Sequence, residues 1–403
     1  MKRIFTAMAV VMMALSTGAS GAEPRARDLG VPFDGTPGAY NAITDVKGVE
    51  VGMTTLIHGN GKLVRGKGPV RTGVTVILPL GKAGRDAVAA GFSVINGTGE
   101  FTGTRMIDEV GLFFGPIALT GTGNVSVVHQ GLIDWAARPG YLSDDELFTR
   151  LLPVVGETLD ARLNDVYGHP MTTADVFAAL DGASAGPVAE GNVGGGTGMT
   201  AYHFKGGTGG ASRVVKVGSR TYTIGVLLQA NHGKRSDLRI AGIPVGQEIR
   251  DLEPVMRPPA KAPEPDTPEK NSLLVVIATD APLQPHQLQR LSRRAALGVG
   301  RSGSTAGNYS GEFALAFSTT NTLPYDGKPV GQAYISDNEQ DVMDALFTAA
   351  TQAVEEALVN QLVAAKTMTG TDGSTVYALP HDRLQALLRK YGRYTAPAGS
   401  PPR

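Results

Sequence analysis

The sequence predicts a mixed protein in which helices follow strands, either α+β or a layered α/β/β/α arrangement. Three observations lead there. Short apolar, β-branched runs closed by Gly, Pro or Thr recur through the first half. A near-continuous apolar run, Ser272 to Thr279, reads as a strand buried on both faces. The long helical pattern that follows, 337–367, needs a sheet to pack against.

In order, Val49–Ile57, Val74–Leu80 and Leu112–Leu119 read as strands. Ser143-Asp144-Asp145-Glu146 opens a capped helix toward Leu152, and Thr172-Thr173-Ala174-Asp175 opens another toward Leu180. Arg213–Val217 and Tyr222–Gln229 form a hairpin around Gly218-Ser219-Arg220. Residues 254–270 hold six prolines among charges, which excludes a helix or interior strand and leaves an exposed tether. After the 272–279 strand come a helix over Pro285–Leu297, an alternating strand over Glu312–Ser318, the long helix with Val342, Leu346, Ala349, Ala350, Val354 and Leu358 on one face, and a last helix over His381–Tyr391.

Composition narrows the function. Lys+Arg and Asp+Glu number 37 each among 403 residues, so no basic field points to nucleic acid. The absence of cysteine excludes disulfides, thiol nucleophiles and thiolate-bound metals. Glycine, at 53 residues, suits a loop-rich enzyme. Met1-Lys2-Arg3, the apolar run Ile4–Leu15 and small residues at Ser20 and Ala22 read as a secretory leader over 1–22, with a periplasmic or secreted mature chain and no membrane span. Its loss leaves 35 basic and 37 acidic residues, a net charge of −2.

Several motifs fail their own context tests. Gly182-Ala183-Ser184-Ala185-Gly186 matches G-x-S-x-G but follows a helix, so it reads as a helix-terminating turn. Gly298-Val299-Gly300-Arg301-Ser302-Gly303 matches G-x-G-x-x-G without a preceding strand. The seven histidines show no tight ligand spacing, and no metal or other cofactor is expected; His232, just after a strand, stays a candidate for a site loop. The loop Glu190–Met199 lacks a P-loop ending. It either offers backbone N–H donors to an anion or permits tight packing.

The junction Asn271-Ser272 carries the most chemistry. A cut before Ser272 would give that residue both a hydroxyl and an α-amine, whose ordinary pKa of about 7.7–8 lets it act as base near neutrality.

At this point the sequence resembles the DmpA/BapA family of self-processing aminopeptidases, which includes L-aminopeptidase/D-esterases and β-peptidyl aminopeptidases. The resemblance runs through Arg25–Gly30, Asn41–Val46, Asn96-Gly97-Thr98-Gly99-Glu100, Pro187–Gly194, Asn231-His232-Gly233, Ala278–Leu283, Arg293-Arg294-Ala295 and Gly307–Glu312. It implies a sandwich resembling N-terminal nucleophile hydrolases, and a precursor cut between Asn271 and Ser272 into chains 23–271 and 272–403 that form one catalytic domain. Carried over by motif, Ser272 is the nucleophile, Ser310 and Glu312 support it and its amine, Asn231 supplies the oxyanion-hole amide, and Glu157 receives the substrate's free amine. The substrates implied are short peptides and amino-acid amides, and the assembly implied is a homotetramer of αβ heterodimers. The Asn-Ser junction looks like the β-peptidyl branch rather than the Gly-Ser junction of the esterase branch. Leu159, Ala161 and Arg162 depart from the aromatic and glycine the family often carries there, which bears on side-chain preference. Two other readings remain: an acyltransferase similar to ornithine acetyltransferase, which uses threonine at the new N-terminus, and a non-catalytic periplasmic binding protein.

Overall fold

The computed structural model describes residues 23–139, 141–142, 151–257, 272–324 and 333–397. The leader, the helix expected from Ser143, most of the proline tether and Asn271 lie outside the described residues.

Ten strands of two sheets form the centre. They are β1 (Glu50–His58), β2 (Val70–Leu78), β3 (Ala87–Gly97), β4 (Leu112–Phe113), β5 (Ile117–Gly121), β6 (Val154–Thr158), β7 (Gly207–Val217), β8 (Arg220–Asn231), β9 (Ser272–Thr279) and β10 (Gly311–Leu323). One sheet has the order β1-β2-β5-β6 and the other β4-β3-β10-β9-β8-β7. Between them lies an apolar layer that includes Ile77, Leu119, Val154, Leu227, Leu274, Val276, Leu315 and Phe317. Helices α2 (Val125–Ala136) and α3 (Thr173–Asp181) cover the outside of the first sheet. Helices α4 (Pro285–Ser292), α5 (Ala295–Arg301), α6 (Gln340–Ala364) and α7 (His381–Lys390) cover the outside of the second. The helix α1 (Thr104–Val110) sits beside β3. This is the expected α/β/β/α sandwich.

Every residue of β9 is buried, as its unbroken apolar run requires. The alternation expected over Glu312–Ser318 is not seen, because β10 runs beside β9 with both faces covered and all seven of those residues are buried. The single strand expected over Leu112–Leu119 is two. Gly115, at φ 82°, turns the chain, so that β4 joins one sheet and β5 the other. The expected helix Pro285–Leu297 breaks at Arg293-Arg294, and the guanidinium of Arg294 lies 4.0 Å from the centre of the Phe347 ring on α6. Just beyond, a Cβ on Gly298 would sit 2.7 Å from the Val354 Cβ. That glycine therefore serves helix-to-helix contact rather than a phosphate loop. Gly182 caps α3, and Ser184 bridges to Val51, so the G-x-S-x-G match is the helix-ending turn expected.

A buried ion cluster ties the region after Ser272 to the region before it. Glu356 on α6 accepts hydrogen bonds from Arg27, Arg213 and Asn41 at 2.6–2.8 Å. The side chains of Arg213 and Glu356 are each only 1% exposed. Burial pushes the Glu356 carboxyl up, but the guanidiniums more than offset it and hold the pKa below its ordinary value. Its contribution is therefore complete above the unfolded carboxyl pKa of about 4.3 and is lost as pH falls through the depressed folded value. Glu356→Gln leaves Arg213 as a buried, uncompensated charge and should cost about 3–5 kcal/mol, read as a lower urea midpoint at pH 7. An unchanged midpoint would contradict this account.

Candidate active site

The site is built where three strand ends meet. Ser272 is the first residue of β9 and is 7% exposed. On one side it pairs in antiparallel register with Asn231, the last residue of β8. On the other it pairs in parallel register with Gly311, the first residue of β10. A serine and an amide opposite each other in an antiparallel ladder have Cβ atoms about 4.5–5.5 Å apart, so their side chains can serve one reacting atom.

Gly311 stands between Ser310 and Glu312, whose side chains are fully buried. Ser310 closes the turn that precedes β10, its N–H donating to Gly307 O at 2.8 Å, and Glu312 is the second residue of the strand. The Ser310 hydroxyl donates to Glu312 Oε1 at 2.5 Å. The Asn231 amide is held at both ends. Its Nδ2 donates to the Leu159 carbonyl at 3.0 Å, and its Oδ1 accepts the Thr200 N–H at 2.9 Å. The amide therefore cannot turn over without losing both bonds.

Glu157 lies on β6, the strand of the other sheet that crosses β9. It is buried within a strand rather than placed at a surface helix end. Gly156 permits the approach, since a Cβ there would come 2.9 Å from Leu274 Cδ1. Glu157 Oε1 accepts the Glu100 N–H at 3.1 Å, and Oε2 accepts the Thr122 hydroxyl. Burial raises its pKa, and these two bonds partly offset the rise. The missing Cβ of Gly99 marks the gap between the groups: it would lie 3.3 Å from Glu157 Oε1 and 3.6 Å from Gly311 Cα. All five expected residues thus converge on one small region.

The glycine loop is settled in favour of packing. The amides of Gly194 and Gly195 donate to the hydroxyls of Thr55 and Thr75, and Gly196 N–H donates to Val193 O. A Cβ on Gly195 would lie 1.9 Å from Gln229 Oε1. His232 is fully buried against the ring of Tyr202, and desolvation lowers its pKa to about 3, so it stays neutral. Among the described residues no cluster of three His, Cys, Asp or Glu side chains forms a metal site.

Sequence reasoning missed the groups that fix the site: Thr122, the Glu100 amide, the Leu159 carbonyl and the Thr200 amide. Glu100 lies in a quoted motif, Asn96–Glu100, which the fold sets against the Gly307–Glu312 motif. Asn96 Nδ2 donates to Gly307 O at 2.6 Å, and Thr98 N to Ser310 O at 3.3 Å.

The model of peptidase family S58 matches residues 41–376. The chain belongs to peptidase family S58. This S58 chain is 62% identical over 384 residues to the β-peptidyl aminopeptidase BapA of Sphingosinicella xenopeptidilytica, covering 95% of each. It is also similar to two solved structures. The L-aminopeptidase D-Ala-esterase/amidase of Ochrobactrum anthropi, described as a prototype of the serine aminopeptidases and a variant of the Ntn hydrolase fold, superposes with a TM-score of 0.83 at 47% identity, over 93% of this chain and all of that one. The β-aminopeptidase of a Burkholderia species superposes with a TM-score of 0.79 at 42% identity, over 94% of this chain and all of that one. The S58 chain is thus a peptidase with an Ntn hydrolase fold.

Proposed function

We propose that this S58 peptidase is a β-peptidyl aminopeptidase that removes N-terminal residues from short peptides and amino-acid amides, using Ser272 as a nucleophile freed by self-cleavage after Asn271. The observation that carries the reading is the shared register of Ser272 with Asn231 and Gly311 at three adjoining strand ends.

In maturation the Ser272 hydroxyl attacks the Asn271 carbonyl carbon. The peptide C–N bond breaks, an ester forms, and the nitrogen leaves as the α-amine of Ser272. Water then cleaves the ester and frees the Asn271 carboxyl, while the 23–271 chain stays paired with the 272–403 chain through β8 and β9. In turnover the neutral amine takes the hydroxyl proton as Oγ attacks the substrate carbonyl. The Asn231 Nδ2–H stabilises the oxyanion. The proton passes to the departing amine, and water removes the acyl group. The Ser310–Glu312 pair steadies the ammonium that forms on Ser272, as a buried carboxylate does for a nearby cation. Glu157 receives the substrate's free amine and so limits cutting to the first residue. The leader over 1–22 supports export before maturation, and family resemblance supports assembly of four αβ pairs, which light scattering of the processed protein would test.

Amides of β-homoamino acids should be cut faster than their L- and D-amino acid counterparts, and N-acetylated forms hardly at all. Equal rates on free and acetylated amides would overturn the aminopeptidase reading. The rate should also fall on the acid side, because an amine that is already protonated cannot accept the hydroxyl proton. A kcat/KM flat from pH 5 to 9 would remove the amine from the base role.

A further inference from the structure

A buried lysine stands behind the candidate oxyanion donor. A short antiparallel pair, Thr200-Ala201 with Phe204-Lys205, folds onto the end of β8. Tyr202 at its tip donates from N to the His232 carbonyl at 2.7 Å. Lys205 is fully buried, and its Nζ donates to the carbonyls of Met199 at 2.7 Å and Gly206 at 2.6 Å. Among the described residues no carboxylate pairs with it. Burying an ammonium without a counter-ion is costly, and in a purely structural role an apolar side chain of the same length would fill the space at less expense.

The two ends of one peptide explain where that charge is directed. The 199–200 peptide accepts Lys205 at its carbonyl oxygen, and its N–H donates to Asn231 Oδ1 at 2.9 Å. A cation on a carbonyl oxygen draws electrons through the conjugated amide and makes its N–H a stronger donor. The Asn231 amide, receiving that N–H on its own oxygen, is polarised in the same sense. The chain of bonds ends at Nδ2, the group set opposite Ser272 by strand register. The geometry points to Lys205 as a positioning residue for the S58 reaction, which through the 199–200 peptide orients and polarises the Asn231 amide toward the developing oxyanion. This inference rests on the oxyanion role proposed for Asn231. Burial lowers the Lys205 pKa to about 7, while the two carbonyls that it donates to favour the charged form.

The test compares Lys205→Met with Asn231→Ala, assayed on processed protein with a β-homoamino acid amide. Asn231→Ala should lower kcat by about 10²–10³-fold, as loss of an oxyanion donor does. Lys205→Met should lower kcat by about three- to tenfold, with KM within twofold and no loss of thermal stability, because a charge acting through two amides is felt in the transition state. A Lys205→Met enzyme with wild-type kcat beside a slow Asn231→Ala enzyme overturns the lysine's role and leaves the oxyanion assignment standing. Unchanged kcat in Asn231→Ala overturns that assignment itself. If Lys205→Met does not fold, wild-type protein labelled with ¹⁵N-asparagine decides. The Asn231 side-chain N–H proton, identified by its loss in Asn231→Asp, should resonate downfield of those of exposed asparagines. A resonance among theirs overturns the polarisation.

Discussion

Ser272→Ala should give a single polypeptide with no measurable peptidase activity. The substitution removes the hydroxyl that would attack the Asn271 carbonyl, so the new N-terminus never forms, and it removes the nucleophile of turnover as well. Loss of a serine nucleophile costs a hydrolase about five to six orders of magnitude. Nothing in the packing should compensate or collapse, because Ser272 opens a strand whose seven following residues are buried and held on both sides. A denaturing gel reads the first effect and amide hydrolysis the second. A variant still split at the same bond would show that another protease does the cutting, and a split variant with normal rates would remove Ser272 from the chemistry.

Glu157→Gln should separate substrate recognition from self-cleavage. The buried carboxylate is held by the Thr122 hydroxyl and the Glu100 N–H, beside the gap at Gly99. Its raised pKa marks a charge short of compensation, which a substrate ammonium would supply. Losing one charge-assisted bond costs about 1.5–3 kcal/mol, or roughly ten- to a hundredfold in kcat/KM, and more if the ammonium is left buried and unpaired. Self-cleavage involves no free amine from outside, so two bands should still appear on the gel. Unchanged kcat/KM on free-amine substrates would reject the role. Loss of processing would point instead to a structural part for Glu157.

Much of this was legible in the residues. The unbroken apolar run of β9 and the turn of the β7–β8 hairpin at Gly218-Ser219 have strong local causes, and both elements form where their patterns put them, though Arg220 opens β8 rather than closing the turn. β3 was not foreseen. Its sequence, Ala87 to Gly97, is rich in small residues of weak strand preference. It is a strand because β10 pairs along it and because Gly91 lets α4 approach, a Cβ there meeting the Gln289 backbone at 2.0 Å. The same division holds in the site. Ser272, Ser310 and Glu312 stand in recognisable strings. The bonds from Thr122 to Glu157, Leu159 to Asn231 and Thr200 to Asn231 join segments 31 to 72 residues apart, and only tertiary structure brings them together: the β5–β6 pairing for the first, the stacking of the two sheets for the second, and the short 200–205 pair folded onto β8 for the third.

The place of β9 in its sheet has a thermodynamic consequence. It is hydrogen-bonded to β8 from the first part of the chain and to β10 from the second, so a cut before Ser272 divides a single continuous sheet between two molecules. For one unit dissociated from the proposed assembly of four, unfolding before the cut is a one-body event and its midpoint does not depend on how much protein is present. After it, complete unfolding sets two chains free, and each tenfold dilution should lower the apparent stability by about 1.4 kcal/mol. Ser272→Ala and the processed enzyme would then share an architecture yet answer dilution differently, and the instruction to assemble would reside in the uncut chain alone.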